Sequence, residues 1–337
     1  MKRLSLFFLF FLFLFCTALP ALAEGKTDNS WTAHASERKA LYLKTAAVTG
    51  TPWTLIAGCD QYAHNIAMLD QASTRQATYL SIPFSAAQWK GYAPPGGHPN
   101  DALLLALFGG AGGDGDGDGN AERTNKADRL FTIAEKIAEA GPGEQNQKIG
   151  LWQLYKRGKA VEMICNYAAI FAAYNTVDLS GHRFPLPLAA NYDYASTWGA
   201  RRGWGGQRIH EGTDIFADYG TAVFAASYGI IEMIGWNKYG GWRVGLRDID
   251  GNYHYFAHLN GYAPGCHRGA ITAPGDVIGY VGSSGYGPKG TMGKFPPHLH
   301  YGLYKDNGSS EFSVDPYPYL RYWERQTLQA QRQTHDK

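Results

Sequence analysis

The sequence predicts an α+β chain of two domains, helical in its N-terminal half and antiparallel β in its C-terminal half. Three observations carry that expectation. Apolar residues of the first half recur at helical spacing, as in Leu55, Cys59, Tyr62, Ile66 and Leu69. The second half breaks instead into short β-branched and aromatic runs separated by glycine turns. Among these, Asp250-Gly251 sits between the runs 242–248 and 252–258, and Asp-Gly between alternating runs is a strong hairpin signal.

Taken in order, residues 1–23 read as a signal peptide. Lys2 and Arg3 precede an apolar run from Leu4 to Phe15, and Ala21-Leu-Ala23 offers small residues for cleavage before Glu24. Phe15 is too bulky for lipoprotein cleavage ahead of Cys16, and no other segment is apolar enough to span a membrane. The mature chain is therefore expected outside the cytoplasm, and its roughly 310 residues suffice for two cores. Residues 24–36 form a polar lead-in without periodicity. The helical domain spans 37–179. In it, a helix from Glu37 to Val48 stops at Gly50, and Thr51-Pro52 opens the next one as N-cap and first-turn proline. Leu154, Val161, Ile164, Ala168 and Phe171 predict one longer helix. Residues 180–200, rich in proline and polar residues, read as a linker. The β domain covers 201–322, with strands expected over 221–225, 229–236, 242–248 and 252–258, and 323–337 is a polar tail.

Composition narrows the function classes. A formal net charge of +2 gives no reason to invoke nucleic acid. Cys59, Cys165 and Cys266 remain after cleavage, an odd number that permits one internal disulfide at most. Cys59 with Cys165 is the preferred pair, and two buried thiols are the alternative.

The chemistry concentrates between His210 and Tyr304. Three signatures follow one another there: His210-Glu-Gly-Thr-Asp214, Tyr255-Phe-Ala-His258 and Pro297-His-Leu-His300. Side chains two apart on a strand share a face, so His210, Gly212 and Asp214 face one way, with the glycine leaving room for an ion. His298 and His300 can share a cavity on the same ground. Two histidines and a carboxylate are a known ligand set for a zinc centre with an open position for water. His210, Asp214 and one histidine of the final pair supply it. The helical His-Glu-x-x-His signature is excluded, because its fifth residue is Asp214 here, so Glu211 points away from the metal and is not the general base. No cysteine lies beside these motifs, as a closed structural zinc site would favour.

These motifs, with Gly279-Tyr-Val-Gly-Ser-Ser-Gly285, resemble the lysostaphin-type (LytM-type) zinc endopeptidases of bacterial cell walls over residues 205–304. The resemblance implies that His210, Asp214 and His300 hold zinc, while His258 and His298 act on the water and the transition state. It implies a secreted, wall-associated or periplasmic zinc metalloendopeptidase that hydrolyses peptidoglycan peptides. The competing expectations are a non-catalytic wall-binding or activator module and a zinc hydrolase of non-wall peptides.

A second chemical motif lies in the helical half. Asp114, Asp116, Asp118, Asn120 and Glu122 alternate with glycine and alanine in a calcium-loop pattern, although its twelfth residue is Asn125 rather than glutamate. A structural Ca2+ is the expectation. This loop and the helix at Pro52 also resemble parts of lysozyme-like lytic transglycosylases. That helix reads Gly58-Cys-Asp-Gln-Tyr62, without their glutamate, which implies a domain that positions or binds wall polymer. Trp204 is a candidate wall of the substrate groove, His254 a groove-lining or edge residue, His267 a loop residue, and the glycine-rich stretch 282–293 a border of the cleft.

Overall fold

The computed structural model describes residues 29–69, 84–92, 98–203 and 206–335. The signal segment 1–23 and Trp204 lie outside the described residues.

The helical half contains α1 (Asn29–Ala33), α2 (Ala35–Thr49), α3 (Trp53–Leu69), α4 (Ala86–Lys90), α5 (Ala102–Leu107), α6 (Lys126–Ala138), α7 (Glu144–Tyr155) and α8 (Gly158–Tyr174). Its core is built on α3 and α8. Apolar spacing marks one stripe of α3, but the helix is buried on nearly every side, Ile56, Ala57 and Ala63 included. Close approach explains Gly58, since a Cβ there would stand 2.6 Å from the Ile164 carbonyl oxygen of α8. Two expectations are corrected here. A short helix, α1, stands in the polar lead-in, where Trp31 is buried. The helix predicted from Leu154 to Phe171 is two helices, because Lys156 takes a left-handed conformation (φ 50°) that caps α7 before Gly158 opens α8.

The strands are β1 (Tyr192–Tyr194), β2 (Arg201–Arg202), β3 (Arg208–Ile209), β4 (Thr213–Ala217), β5 (Ala222–Phe224), β6 (Gly229–Asn237), β7 (Gly241–Asp248), β8 (Tyr253–Tyr262), β9 (Ile271–Thr272), β10 (Val277–Val281), β11 (His298–Asp306) and β12 (Glu311–Val314). They precede the final helix α9 (Tyr317–His335). The main sheet runs β1-β4-β11-β8-β7-β6-β9, with β12 beside β11, and with β10 pairing both β5 and β8. Its pairings among the described residues are all antiparallel, as the hairpin signals require. The stretch expected as a linker thus supplies β1. The expected tail is helical, and the start of α9 covers the sheet core with Leu320 and Trp323, both buried beside Tyr301 and Leu303.

The halves are not independent bodies joined by a tether. Ile230 and Ile249 of the β half complete the helical core. Asn65 of α3 donates 3.0 Å to the Ile249 carbonyl, and Arg157 grips Asp306 of β11 through two bonds of 2.8 and 2.6 Å. Beside them, Lys159 and Asn166 of α8 reach Glu232, which also pairs with the fully buried Arg247. The helical half therefore braces the sheet through residues that do not line the cleft described next. Cys59, Cys165 and Cys266 are free thiols, so the expected Cys59–Cys165 disulfide is not formed. Burial pushes the Cys59 thiol up to about 12 and makes it unreactive at neutral pH.

Candidate metal centre

The site is assembled by strand register. β11 lies between β4 and β8, and His300 is directly opposite Asp214 on one side and Ala257 on the other. Residues opposite one another on adjacent strands project to the same face, so the register alone brings the imidazole and the carboxylate together. His210 precedes β4 and closes the set: its Nε2 lies 2.8 Å from His300 Nδ1 and 3.0 Å from Asp214 Oδ1. His300 Nδ1 is also 3.0 Å from Asp214 Oδ1. The three donor atoms lie within 4.8 Å of one another and could hold a metal ion.

Their protonation suits that use. His210 Nδ1 donates 2.9 Å to the Thr197 carbonyl, which leaves Nε2 with its lone pair towards the centre. Burial, opposed by Asp214, lowers the pKa of His300 and keeps it neutral. Asp214 is the reverse case: burial would raise its carboxyl, but its close contacts with the His210 and His300 rings outweigh that and hold it far below the usual carboxylate range. One carboxylate oxygen and two imidazole nitrogens converging on a point are a ligand set that divalent zinc takes, so the residues fit the ion.

Gly212 has a different reason from the one its spacing suggests. A Cβ at this position would stand 2.5 Å from His300 Cε1. The glycine leaves room for the ring of His300 rather than for the ion.

His258 and His298 stand beside this trio, with ring centroids 4.8 Å apart. Each fixes its tautomer through the backbone. His258 Nδ1 donates 2.8 Å to the Ser284 carbonyl and His298 Nδ1 donates 2.9 Å to that of Pro296, so both Nε2 atoms keep a lone pair. His298 Nε2 lies 3.7 Å from Asp214 Oδ1. Burial lowers both pKa values, that of His258 with help from the neighbouring His298.

Strand periodicity misleads on His254. It puts His254 and His258 on one face, yet His254 is fully buried, 2.8 Å from Asp248 and 2.5 Å from the Tyr301 hydroxyl. It is a core residue, not a lining of the groove. The alternation is reset because His258 adopts a left-handed backbone (φ 62°), which swings its ring to the groove side with Tyr255. Such a conformation in a non-glycine residue is costly, and it falls at the site.

The cleft over these residues encloses about 440 Å³ and is walled by Tyr239, Tyr255, Tyr286 and Phe295. The last two come from or follow the stretch 282–293, which does border it. Sequence reasoning missed Arg202, whose Nη2 lies 2.5 Å from Asp214 Oδ2 and so leaves Oδ1 to the centre. The signal was available: residues 201–208 carry three arginines and no acid. Glu211 is exposed and accepts a 3.4 Å bond from the Tyr304 hydroxyl, away from the three donors as expected. His267 lies in a loop, its Nδ1 3.0 Å from the Arg268 carbonyl.

The acidic loop stands apart from this centre. Asp114 accepts from the backbone N–H of Gly117, Asp118 and Gly119, Asp116 from Asp118 N and Asn125 Nδ2, and Asp118 from Asn120 N. The three carboxylates do come within 4.8 Å of one another. Glu122, by contrast, is exposed and contributes its N–H to Asp128 rather than its side chain to the cluster. Holding its own backbone turns accounts for the alternation of aspartate and glycine without an ion.

Comparison with known proteins adds four findings. The family described as Peptidase family M23 matches residues 208–316. An L-Ala–D-Glu endopeptidase of Bacillus subtilis is 51% identical over 297 residues, which cover 88% of this chain and 91% of that protein. Lysostaphin of Staphylococcus staphylolyticus is 32% identical over 40% of this chain and 28% of its own length. Among solved structures, the catalytic domain of lysostaphin from Staphylococcus simulans is 33% identical and aligns over 39% of this chain and 93% of that one, with a TM-score of 0.32.

Proposed function

Because the chain belongs to peptidase family M23, as its resemblance to lysostaphin-type enzymes implied, we propose that it is an exported zinc endopeptidase that cuts cell-wall peptidoglycan peptides at an L-Ala–D-Glu bond. The observation that carries the reading is the convergence of His210, Asp214 and His300, with His258 and His298 beside them at the same cleft. The choice of bond rests on the Bacillus subtilis relative, whose similarity extends through the helical half, whereas that to lysostaphin covers 40% of the chain. Export rests on the basic and then apolar start of the sequence.

His210 Nε2, Asp214 Oδ1 and His300 Nδ1 are the atoms that would hold zinc. The ion would supply polarisation of the scissile carbonyl and a lowered pKa for water. Arg202 keeps the second oxygen of Asp214 occupied and fixes that carboxylate in one orientation. His258 and His298 present bare Nε2 atoms to the cleft, so either can take a proton from the attacking water and then, as imidazolium, donate to the oxyanion. The aromatic walls hold the peptide and exclude water.

The test is digestion of purified peptidoglycan with mass analysis of the fragments. New amine ends on D-Glu support the reading. Cleavage at a different wall bond refutes the choice of bond, and binding to wall without any cleavage refutes the enzyme in favour of a binding module.

A further inference from the structure

The strands β2 and β3 set Arg202 directly opposite Arg208 across the cleft mouth. Like charges paired across two strands repel, and this hairpin has no acid of its own to offset them. Asp214 neutralises Arg202 at 2.5 Å. Arg208 has no such partner: among the described residues no carboxylate comes within 4.0 Å of it. Its guanidinium stands 5.5 Å over the ring of Tyr239, a wall of the cleft that also holds His258 and His298. The acids that line this cleft are spent elsewhere, Asp214 on Arg202 and the histidines, and Glu211 on the Tyr304 hydroxyl. One cation is thus held at the reaction cleft, exposed and uncompensated.

We infer that Arg208 reads a free carboxylate on the residue that supplies the leaving amine. The inference rests on the proposed L-Ala–D-Glu cleavage and goes beyond it to the feature of the substrate that is recognised. A glutamyl residue on the amine side of the scissile bond has two carboxyl groups, and a linear peptide continues through one. The other stays on the same residue as the leaving nitrogen, as an anion or, when amidated, as a neutral group. A guanidinium presents a planar fork that matches a carboxylate with two parallel hydrogen bonds, a match that a carboxamide cannot reproduce. Arg208 is therefore a specificity residue, distinct from the groups that act on the scissile bond.

The experiment uses the zinc-loaded full mature chain and two synthetic L-Ala–D-Glu peptides that differ only in whether that second carboxyl is free or amidated. The wild type is expected to cut the acid with about 10- to 100-fold higher kcat/KM. Arg208→Gln brings the acid peptide down to the rate of the amidated one, mainly through KM, and Arg208→Lys restores part of the preference. Calorimetric binding of the D-Glu-terminated product in both forms gives a readout independent of turnover. Equal rates on both peptides in the wild type overturn the inference while leaving the bond assignment standing. An equal loss on both peptides in Arg208→Gln overturns it also, with zinc content and melting temperature showing whether the fold survived. If neither peptide is cut but another wall peptide is, the bond assignment itself fails and the inference falls with it.

Discussion

Gly212→Ala tests how tightly the metal centre is packed. The new methyl carbon would sit 2.5 Å from His300 Cε1, 2.8 Å from His300 Nε2 and 2.8 Å from the Tyr301 carbonyl oxygen. Ordinary contact begins near 3.4 Å, so the ring of His300 must retreat by about 1 Å or β4 must part from β11. Ligand distances in zinc sites hold to about 0.2 Å, so a retreat of that size takes His300 Nδ1 out of bonding range. The backbone cost of overpacking is about 1–3 kcal/mol, small enough for the chain to fold. Zinc affinity should fall at least ~10- to 100-fold, the scale of lesser disturbances around bound metals. Competition with a chromophoric chelator measures it, and Gly261→Ala serves as control because a Cβ there meets nothing within 4 Å. Unchanged zinc affinity in Gly212→Ala, with the fold intact, would refute the claim that this glycine makes room for a ligand.

Three further outcomes are expected. Since folding lowers the pKa of both His258 and His298, each stays neutral until the pH falls below the ordinary histidine value of about 6.5, and the acid limb of kcat/KM should have its midpoint below that value. A midpoint above 6.5 contradicts the assignment of neutral bases. Arg247→Ala strips Glu232, whose side chain is 7% exposed, of its main partner and should cost about 3–5 kcal/mol by urea denaturation; a loss under ~1 kcal/mol refutes its bracing role. Arg202→Gln frees Asp214 Oδ2 and should weaken zinc binding by about 10-fold or more, with equilibrium dialysis as the check and wild-type affinity as the contrary result.

What was legible in the chain follows from which physics is local. The motif residues announce themselves because ligand chemistry restricts residue types, and because a period of two places His298 and His300 on one strand face. Pairing of His300 with Asp214 depends on β4 and β11 becoming neighbours in the right register, which no local signal reports because β5 to β10 separate them in the chain. The handedness of His258 was not legible. Nothing in Tyr-Phe-Ala-His marks a left-handed residue, so alternation assigned His254 to the groove and the structure puts it in the core. The break between α7 and α8 was hidden for the same reason, because Lys156 is left-handed without being glycine. Polar composition also misled at the chain's joints: β1 forms by pairing with β4, and α9 packs through Leu320 and Trp323 near its start while the remainder stays polar. Tertiary contacts that composition does not report decided both.

The most direct test of the account is zinc content measured beside amine release from purified peptidoglycan, for the wild type, His298→Ala and His300→Ala. The wild type should hold about one zinc and be fully active, His298→Ala should hold about one zinc with almost no activity, and His300→Ala should lose both. If His298→Ala loses the metal while His300→Ala keeps it, the division between ligand and catalytic partner drawn here is wrong.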